Sequence, residues 1–323
     1  MVRGKVYAID GSGLGDDLRL VALVCVSATR PIIVAWRVLS GPASEKGKEA
    51  EVTRSLIEQV LQAAGPKAIS LLLADALYAD GPLLAWLKYS KGIDALVSLP
   101  QDRLLYQDLQ GLAAGQLIDW THHRYLRTIQ GHKQVREVEV TAAGELTSWD
   151  GFTEAAGSYG VPDASLWACL IRDVTTAESA AEPPMALVST RTFPDGFAAL
   201  QAFRPRWHIE DDAYRELKEG WGLEKQRWGR DFAAALGRTT LTCLAFNTAQ
   251  VYRLRAGERL ARLSIRRLRR LRQRELGSAP AVIYVAGCYG VFSLEELLAL
   301  VGTPPRESLL PALSESASPH APT

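Results

Sequence analysis

The chain has 323 residues, of which 47% are hydrophobic and 23% are charged, a balance that is typical of a folded globular protein and excludes a disordered chain. Its formal net charge is only +1, which excludes a uniformly basic nucleic-acid binder. No run of about 18 apolar residues is present and the opening segment has no signal-peptide core, so we expect a cytoplasmic protein that does not enter a membrane.

Residues 1–100 are predicted to alternate between strands and helices, as the first part of an α/β core. Alternating or continuous apolar residues predict strands, and apolar residues at helical spacing predict helices. The predicted strands are 6–10, 18–28, 31–39, 68–75 and 94–100, and the predicted helices are 44–64 and 81–90. The turn-rich segment GSGLGDD is predicted to be the hairpin turn between the first two strands. This order predicts a sheet of mixed direction.

Residues 101–195 have a different pattern, with alternating segments such as QVREVEVTA, clusters of turn residues and little helical periodicity. We therefore predict a mostly β insertion between two parts of the core. Three histidines of this region, His122, His123 and His132, lack the spacing of a metal site and are predicted to lie on the surface.

Helical periodicity returns in residues 196–255, which are predicted to form the second part of the core. Pro205 suits the first turn of a helix that continues through RWHIEDDAYRELKEGWG. Residues 256–302 are predicted to be a basic helical region, and the tail 303–323, rich in Pro, Ser and Ala, is predicted to be disordered. Residues 204–275 contain 18 Lys and Arg against 9 Asp and Glu, so this stretch is expected to face a phosphate backbone.

Two candidate acids end predicted strands. Asp10 follows YAI at the end of the first strand, and Asp75 follows the buried strand LLLA. Because the carboxyl ends of adjacent strands converge at the edge of an open α/β sheet, their carboxylates are expected to share a hard cation. Either aspartate alone could equally be a turn or helix-capping residue, so the prediction depends on their joint placement.

A third candidate acid is Glu210, which lies on the predicted helix after the insertion. Arg206 precedes it by four residues, so the two side chains are expected on one face of that helix. An ordinary surface ion pair would have the same spacing. Spacing alone does not choose Glu210 over the other acids of the helix. These are Asp211, Asp212, Glu216 and Glu219.

Three segments together resemble the acidic blocks of a known enzyme family. They are YAIDGSGL, LLLADALYADGPLL and RWHIEDDAYRELKEGWGLEKQRWGR, in that order along the chain. They are similar to the blocks of the DDE transposases of bacterial insertion sequences, in particular the hairpin-forming branch exemplified by insertion sequence four. Each block alone has modest specificity, but their order and their strand-end, strand-end and helix contexts extend the resemblance over roughly residues 5–255.

The resemblance implies both a fold and a chemistry. The fold would be α/β, with a ribonuclease-H-like mixed sheet and a mostly β insertion before the last catalytic helix. Asp10, Asp75 and Glu210 would be the catalytic residues and the metal ligands for Mg²⁺, with Mn²⁺ as a substitute. The reaction would be cleavage and transfer of double-stranded DNA, with transposon ends and target DNA as partners. A homodimer is expected when the ends are paired.

The last block also implies residues that bind DNA. In the family it has the pattern Tyr, two residues, Arg, three residues, Glu, six residues, Lys, and Arg206 and Glu210 match this spacing. Phe203 stands in the place of the tyrosine, and Lys218 follows after seven residues instead of six. Arg206 and Lys218 would hold the phosphate at the cut end, the arginine as a two-pronged donor and the lysine as a point charge.

Further arginines are expected to contact DNA phosphates. Arg227 and Arg230 end the last acidic block, and Arg266 and Arg269 lie in a leucine- and arginine-rich run, residues 253–275. This run is predicted to be a basic helix that lies along DNA. The alternative is a helix that packs on protein and extends its arginines into solvent.

The family usually carries an N-terminal domain that recognises the transposon ends, whereas this chain begins a few residues before the first catalytic strand. Three functions remain open: a truncated transposase that keeps its chemistry, a non-catalytic DNA-binding remnant or regulator, and a stand-alone nuclease of the same fold. The presence of all three acids favours retained chemistry. Metal-dependent nicking separates the first function from the second, and strand transfer separates the first from the third.

Overall fold

A computed structural model of the chain describes most of its first 255 residues and short stretches beyond them. The described residues are 5–15, 18–28, 30–41, 49–129, 132–223, 232–255, 263, 267, 270, 281–285 and 288–292. The chain divides into two compact units, Met1–Leu254 and Arg255–Thr323. Among the described residues, none of the helices combines the length and the apolar character needed to cross a bilayer.

Nine strands of the first unit form one sheet of mixed direction. They are β1 (Lys5–Gly15), β2 (Leu18–Cys25), β3 (Ile32–Ser40), β4 (Ile69–Ala74), β5 (Asp94–Leu99), β6 (Thr121–Ile129), β7 (His132–Leu146), β8 (Leu166–Asp173) and β9 (Met185–Ser189). Their order across the sheet is β3-β2-β1-β4-β5-β9-β8-β7-β6. Only the pairs β1/β4 and β4/β5 are parallel. The predicted α/β class with a mixed sheet is confirmed.

Helices cover both faces of the sheet. They are α1 (Glu49–Ala64), α2 (Gly81–Ala85), α3 (Leu104–Ala114), α4 (Asp150–Gly157), α5 (Ala177–Ala181), α6 (Gly196–Phe203) and α7 (Phe232–Arg255). A 3-10 turn, Arg204–Arg206, and two π-helical turns, Ile209–Tyr214 and Glu216–Gly220, follow α6; residues 204–220 are called the glutamate helix below.

Alternation along the strands assigns each apolar side chain to one of two cores. In β2, Val21 and Leu23 pack with α1 to α4, whereas Leu20, Ala22 and Val24 pack with α6, the glutamate helix and α7. Both faces of β2 are therefore covered by helices and shielded from water, which explains its nearly continuous apolar sequence. The second of these surfaces is called the glutamate-helix face.

The predicted β insertion continues the sheet of the core. Its last strand, β9, pairs with β5 of the first part of the core, so strands on both sides of the predicted boundary at Gln101 belong to one sheet. The region also contains three short helices, α3, α4 and α5, where little helix was predicted. In α3, Leu105 and Leu109 are spaced one turn apart and both are buried, because one face of this short helix covers the sheet.

The segment GSGLG belongs to a strand and is not the hairpin turn that its glycines predicted. β1 extends to Gly15, which pairs with Leu18 of β2 across a register shift. Gly15 has φ +83°, a conformation that glycine adopts without strain, so it permits a bulge at the end of the ladder. The error arose because glycine-rich segments are typical of both turns and bulged strand ends.

In the second unit, the described residues include a small antiparallel sheet formed by β10 (Ala281–Val285) and β11 (Cys288–Phe292). The prediction of a helical region over residues 256–302 is wrong for these two strands, whose β-branched and aromatic residues favour extended structure. Most of the rest of this predicted helical region lies outside the described residues, as does the whole tail 303–323.

Replacing Gly81 with alanine is expected to destabilise the protein by about 3 kcal/mol, the upper range for forcing atoms into a packed core. A Cβ at Gly81 would lie 2.5 Å from the backbone nitrogen of Phe152 and 2.6 Å from the carbonyl carbon of Gly151, so α2 and α4 would have to separate. Urea unfolding measures the change. The matched control is Gly111→Ala in α3, where a Cβ meets no atom within 4 Å; a gain of roughly 0.5–1 kcal/mol is expected. Equal stability of the two variants would contradict the packing argument.

Candidate active site

Asp10 lies near the centre of β1, on the glutamate-helix face of the sheet. It pairs with Ala22 of β2 and follows Ala8, which is buried in the core on that face, by two residues. Only 8% of Asp10 is exposed. The backbone N–H of Gly11 donates to its Oδ1 at 2.8 Å. The carboxylate is therefore fixed in direction and largely removed from water.

Asp75 directly follows β4, the strand that runs parallel to β1. Ala8 and Leu73 are partners in this ladder, and Asp10 and Asp75 each come two residues later, so the two acids lie at neighbouring positions along parallel strands. The Oδ1 atom of Asp75 also accepts a hydrogen bond from the backbone N–H of Leu77 at 2.9 Å. Asp75 therefore caps a 3-10 turn and also approaches Asp10. The two alternatives from the sequence, a capping residue and a site residue, apply to the same side chain.

Glu210 is held above Asp10 by the packing of the glutamate helix. Ile209, Ala213 and Leu217 are buried against the sheet. The buried hydroxyl of Tyr214, one turn after Glu210, donates to the backbone carbonyl of Asp10 at 2.5 Å. This bond joins the glutamate helix to β1 at Asp10. The contact therefore helps to bring the carboxylates of Asp10 and Glu210 to one region.

Arg206 forms the predicted ion pair with Glu210. Its Nη1 atom lies 2.6 Å from Oε1 of Glu210, within the expected i, i+4 spacing. The arginine is only 7% exposed, whereas 47% of the Glu210 side chain is exposed. The guanidinium also lies 5.5 Å from the ring centre of Phe203, which is buried. Phe203 therefore supports the arginine with its ring, a role that needs no tyrosine hydroxyl.

An open pocket of about 350 Å³ lies between the middle of β1 and the glutamate helix. The prediction that Asp10 ends the first strand is wrong, because β1 continues through the glycine-rich segment to Gly15. The walls of the pocket carry carboxylates, cations and a hydroxyl. The lining residues are Asp10, Gly11, Ser12, Glu210, Tyr214, Arg215, Lys218 and Glu219. The structure therefore brings two of the three predicted acids and the predicted lysine to one cavity, with Asp75 beside Asp10 outside the lining.

The electrostatics of Asp10 show that the acids converge. Its pKa is raised from 3.8 to about 7, first because burial disfavours the charge and then because Asp75 and Glu210 repel it. The hydrogen bond from Gly11 and the charge of Arg206 act in the opposite direction. A carboxylate with this environment gains from any cation that enters the pocket.

The donor atoms of the site suit Mg²⁺. This ion prefers carboxylate oxygens and is commonly held by one or two of them, with water and substrate phosphate as its other ligands. Within the described part of the chain, no three or more His, Cys, Asp or Glu side chains are grouped closely enough to hold a metal ion. Asp10 and Glu210 therefore offer suitable ligands, but the described residues do not form a closed protein cage.

The other acids of the glutamate helix are distinguished by their partners. Asp212 pairs with His208, and Asp211 lies 3.8 Å from Arg215. Glu216 accepts from Gln250 and Arg253 of α7 and does not line the pocket. Glu210 and Glu219 remain as the two glutamates that line the pocket.

Lys218 reaches the pocket although it follows Glu210 one residue later than the family pattern. In both π turns a backbone N–H bonds to the carbonyl five residues back, from Arg215 to Glu210 and from Trp221 to Glu216. A π turn takes up one more residue than an α turn, so the side chains that follow return to the original helix face. The π turns therefore allow Lys218 to line the pocket although seven residues, and not six, separate it from Glu210.

No protein-family model matches this chain, and no curated protein matches it either. The resemblance to the DDE transposases therefore depends on the three acidic blocks and on the geometry around them. Membership of that family stays a prediction.

Four predicted DNA-binding residues, Arg227, Arg230, Arg266 and Arg269, lie outside the described residues. Tyr214, whose hydroxyl joins the helix to Asp10, is not among the site residues that the sequence predicts. Its position four residues after Glu210 was the available signal, because i and i+4 share a helix face. A buried tyrosine hydroxyl needs a hydrogen-bond partner, but the sequence does not say which carbonyl supplies it.

Proposed function

We propose that this chain cleaves and transfers DNA strands in a metal-dependent reaction, as an enzyme of the DDE transposase type. The observation that carries the proposal is the pocket lined by Asp10 and Glu210, with Asp75 following the neighbouring parallel strand; Asp75 and Glu210 both help to raise the pKa of Asp10. A buried carboxylate that two other acids repel beside a polar pocket is costly for a folded protein, and a divalent cation with a phosphate substrate would offset that repulsion.

The order of the elements supports a ribonuclease-H-like core. Three antiparallel strands are followed by two parallel strands connected through helices, then by a β-rich insertion and then by the helix that carries Glu210. This is the order that the resemblance implies for the family. The insertion extends the same sheet, so it supports the glutamate helix from below through β7, β8 and α6.

The residues of the pocket divide into ion ligands and phosphate ligands. Asp10 and Glu210, which line the pocket, would hold Mg²⁺, and Asp75 beside Asp10 would join them as a third ligand on binding. The bound ion would stabilise the attacking and leaving oxygens of an in-line displacement at phosphorus. Arg206 would bind a phosphate oxygen, because its guanidinium is kept in place by Phe203 and Glu210. Lys218 adds a positive charge to the same wall.

One observation favours a second function, a non-catalytic DNA-binding protein. The described residues contain no closed group of metal ligands, which a decayed site would also lack. A regulator of this kind would bind DNA without cutting it.

The test of the proposed function is nicking of a supercoiled plasmid with Mg²⁺ or Mn²⁺, with a chelator as the negative condition. We expect nicking only with the ion, and joining of a labelled oligonucleotide to the plasmid if the protein is a transposase instead of a nuclease. Binding of the plasmid without nicking under all conditions would overturn the proposal in favour of the regulator.

A pair of aspartates supplies a matched comparison for that assay. Asp75→Asn is expected to lower nicking by roughly 100-fold or more, because a ligand carboxylate loses its charge. Asp80→Asn is expected to retain nicking, since Asp80 caps α2 by accepting from Leu83 N–H at 2.9 Å. Asparagine caps helices as well as aspartate does, so both variants are expected to stay folded. Equal losses in the two variants would remove Asp75 from the site.

A further inference from the structure

Three contacts that involve aromatic rings join β6 to the segment before Glu210, and these side-chain contacts are called the ladder below. His123 stacks on Phe197 with their ring centres 4.5 Å apart. The guanidinium of Arg204 lies 4.2 Å from the ring centre of Tyr125. That of Arg127 lies 4.3 Å from the ring centre of Trp207.

The ladder brings one face of the β6–β7 hairpin to the start of the glutamate helix. His123, Tyr125 and Arg127 alternate along β6 and therefore share one side of the strand. Trp207 lies only three residues before Glu210, so Arg127 is held close to the start of the turn that carries this acid. The hairpin of the insertion is thereby tied to the candidate active site.

Arg127 and Arg204 differ from neighbouring arginines in their partners. On β6, β7 and β8, Arg124 pairs with Glu137, Arg136 with Asp173, and Arg172 with Glu139. Among the described residues, no carboxylate lies within ion-pair distance of Arg127 or Arg204. The hydrogen bond of Arg204 goes to the neutral side chain of Gln201 at 2.9 Å.

One of these two arginines has an unused donor. The Nη2 atom of Arg204 is buried and has no hydrogen-bond partner within the described part of the chain, and the same is true of the Nε atom of the nearby Arg206. A guanidinium stacked on a ring keeps its N–H groups in its own plane, where they remain free to meet an anion. Such a group is also already ordered, so less side-chain entropy is lost on binding.

We propose that Arg127 and Arg204 bind phosphates of double-stranded DNA beside the candidate active site, an inference that rests on the proposed function. The planar fork of arginine matches a phosphate in two hydrogen bonds, and the stacked rings fix its orientation. The contact is to the sugar-phosphate backbone and so positions the duplex without reading its sequence. The β6–β7 hairpin is then a clamp that holds DNA against the glutamate helix.

The test is the salt dependence of DNA binding, measured with a labelled duplex and the full chain carrying Asp10→Asn so that the DNA is not cut. Arg127→Gln and Arg204→Gln are each expected to weaken binding about tenfold at low salt and to reduce the slope of log K against log salt by about 0.9. The matched control is Arg124→Gln, which removes the same charge from the opposite side of β6, where the arginine pairs with Glu137. It is expected to change binding less than about twofold.

Two further variants and the cleavage assay separate the possible outcomes. Arg127→Lys keeps the positive charge and is expected to retain most of the wild-type slope of log K against log salt. If Arg127 had only a structural role, Arg127→Gln would lower the melting temperature and leave that slope unchanged. Equal losses in Arg124→Gln and Arg127→Gln overturn the proposal, because general charge would then explain them. Nicking that requires Asp10, together with normal binding by Arg127→Gln, rejects the clamp and keeps the proposed function. Lost binding by Arg127→Gln without any nicking by the wild-type chain supports the clamp and rejects the enzyme.

Discussion

Replacing Asp10 with asparagine is expected to lower metal-dependent DNA cleavage by roughly 1000-fold, the effect of losing about 4 kcal/mol of charge stabilisation in the transition state. Asparagine has nearly the same shape but no negative charge, so it cannot attract a divalent ion or keep it beside the phosphate. The amide can still accept the hydrogen bond from Gly11 N–H, which holds the wild-type carboxylate at 2.8 Å. Loss of cleavage would therefore come from the charge and not from a disturbed strand.

The same substitution is expected to stabilise the metal-free protein at neutral pH. The pKa of Asp10 is about 7 in the folded chain against 3.8 for the ordinary group, so the folded state binds a proton more tightly than the unfolded state. The free energy of unfolding of the wild-type chain therefore falls as pH rises from about 4 to about 7 and is level above that range. The fall from this one group is on the order of 2–4 kcal/mol, and the asparagine variant lacks it.

Urea unfolding at pH 5 and pH 8 in the presence of a chelator measures this difference. We expect the variant to exceed the wild type by a larger margin at pH 8 than at pH 5. Mg²⁺ is expected to raise the melting temperature of the wild type and to leave that of the variant nearly unchanged, because a ligand stabilises only the state that binds it. A variant that is less stable than the wild type at pH 8 would contradict the repulsion among Asp10, Asp75 and Glu210.

Much of the fold can be predicted from the strands of the first hundred residues. β2 and β4 are nearly continuous apolar runs, because both of their faces are buried under helices, and such runs are easily recognised. What local patterns do not contain is the pairing of distant strands. The contact between β5 and β9 joins the last strand before the insertion to the last strand within it, so nothing in either strand alone predicts that the insertion extends the core sheet.

The candidate site likewise has one part that local sequence patterns predict and another that depends on contacts between distant residues. The proximity of Asp10 and Asp75 follows from their positions after apolar runs, and each lies two residues beyond the last paired residues of β1 and β4, Ala8 and Leu73. The choice among the acids of the glutamate helix depends on distant partners. Glu216 is occupied by Arg253, 37 residues later, and that contact has no local signal. The π turns that bring Lys218 back to the pocket are also invisible to a pattern search based on α-helical spacing.

Glu210 and Glu216 lie six residues apart on one helix and are expected to respond to glutamine in opposite ways. Glu210→Gln is expected to lower cleavage by roughly 100- to 1000-fold, because a ligand charge is lost, with little change in the free energy of unfolding. Its side chain is 47% exposed, so its ion pair with Arg206 is partly screened by water and is expected to add little to stability. Gel assays of nicking and urea unfolding on the same preparations measure both quantities.

Glu216→Gln is expected to lower the free energy of unfolding by about 3 kcal/mol, since it removes the carboxylate that pairs with a buried charge. That charge is on Arg253, whose side chain is 1% exposed and lies 3.3 Å from Oε1 of Glu216. A double variant, Glu216→Leu with Arg253→Met, is expected to recover most of this loss, because two apolar groups need no counter-charge.

Glu219→Gln completes the comparison, because Glu219 lines the same pocket as Glu210 but lies on the second π turn. We expect it to retain cleavage within about tenfold, as a neighbouring charge and not a ligand. Cleavage that survives Glu210→Gln and disappears with Glu219→Gln would transfer the third carboxylate to Glu219. The two π turns would then serve to present the later glutamate to the ion, and Arg206 would act through phosphate binding alone.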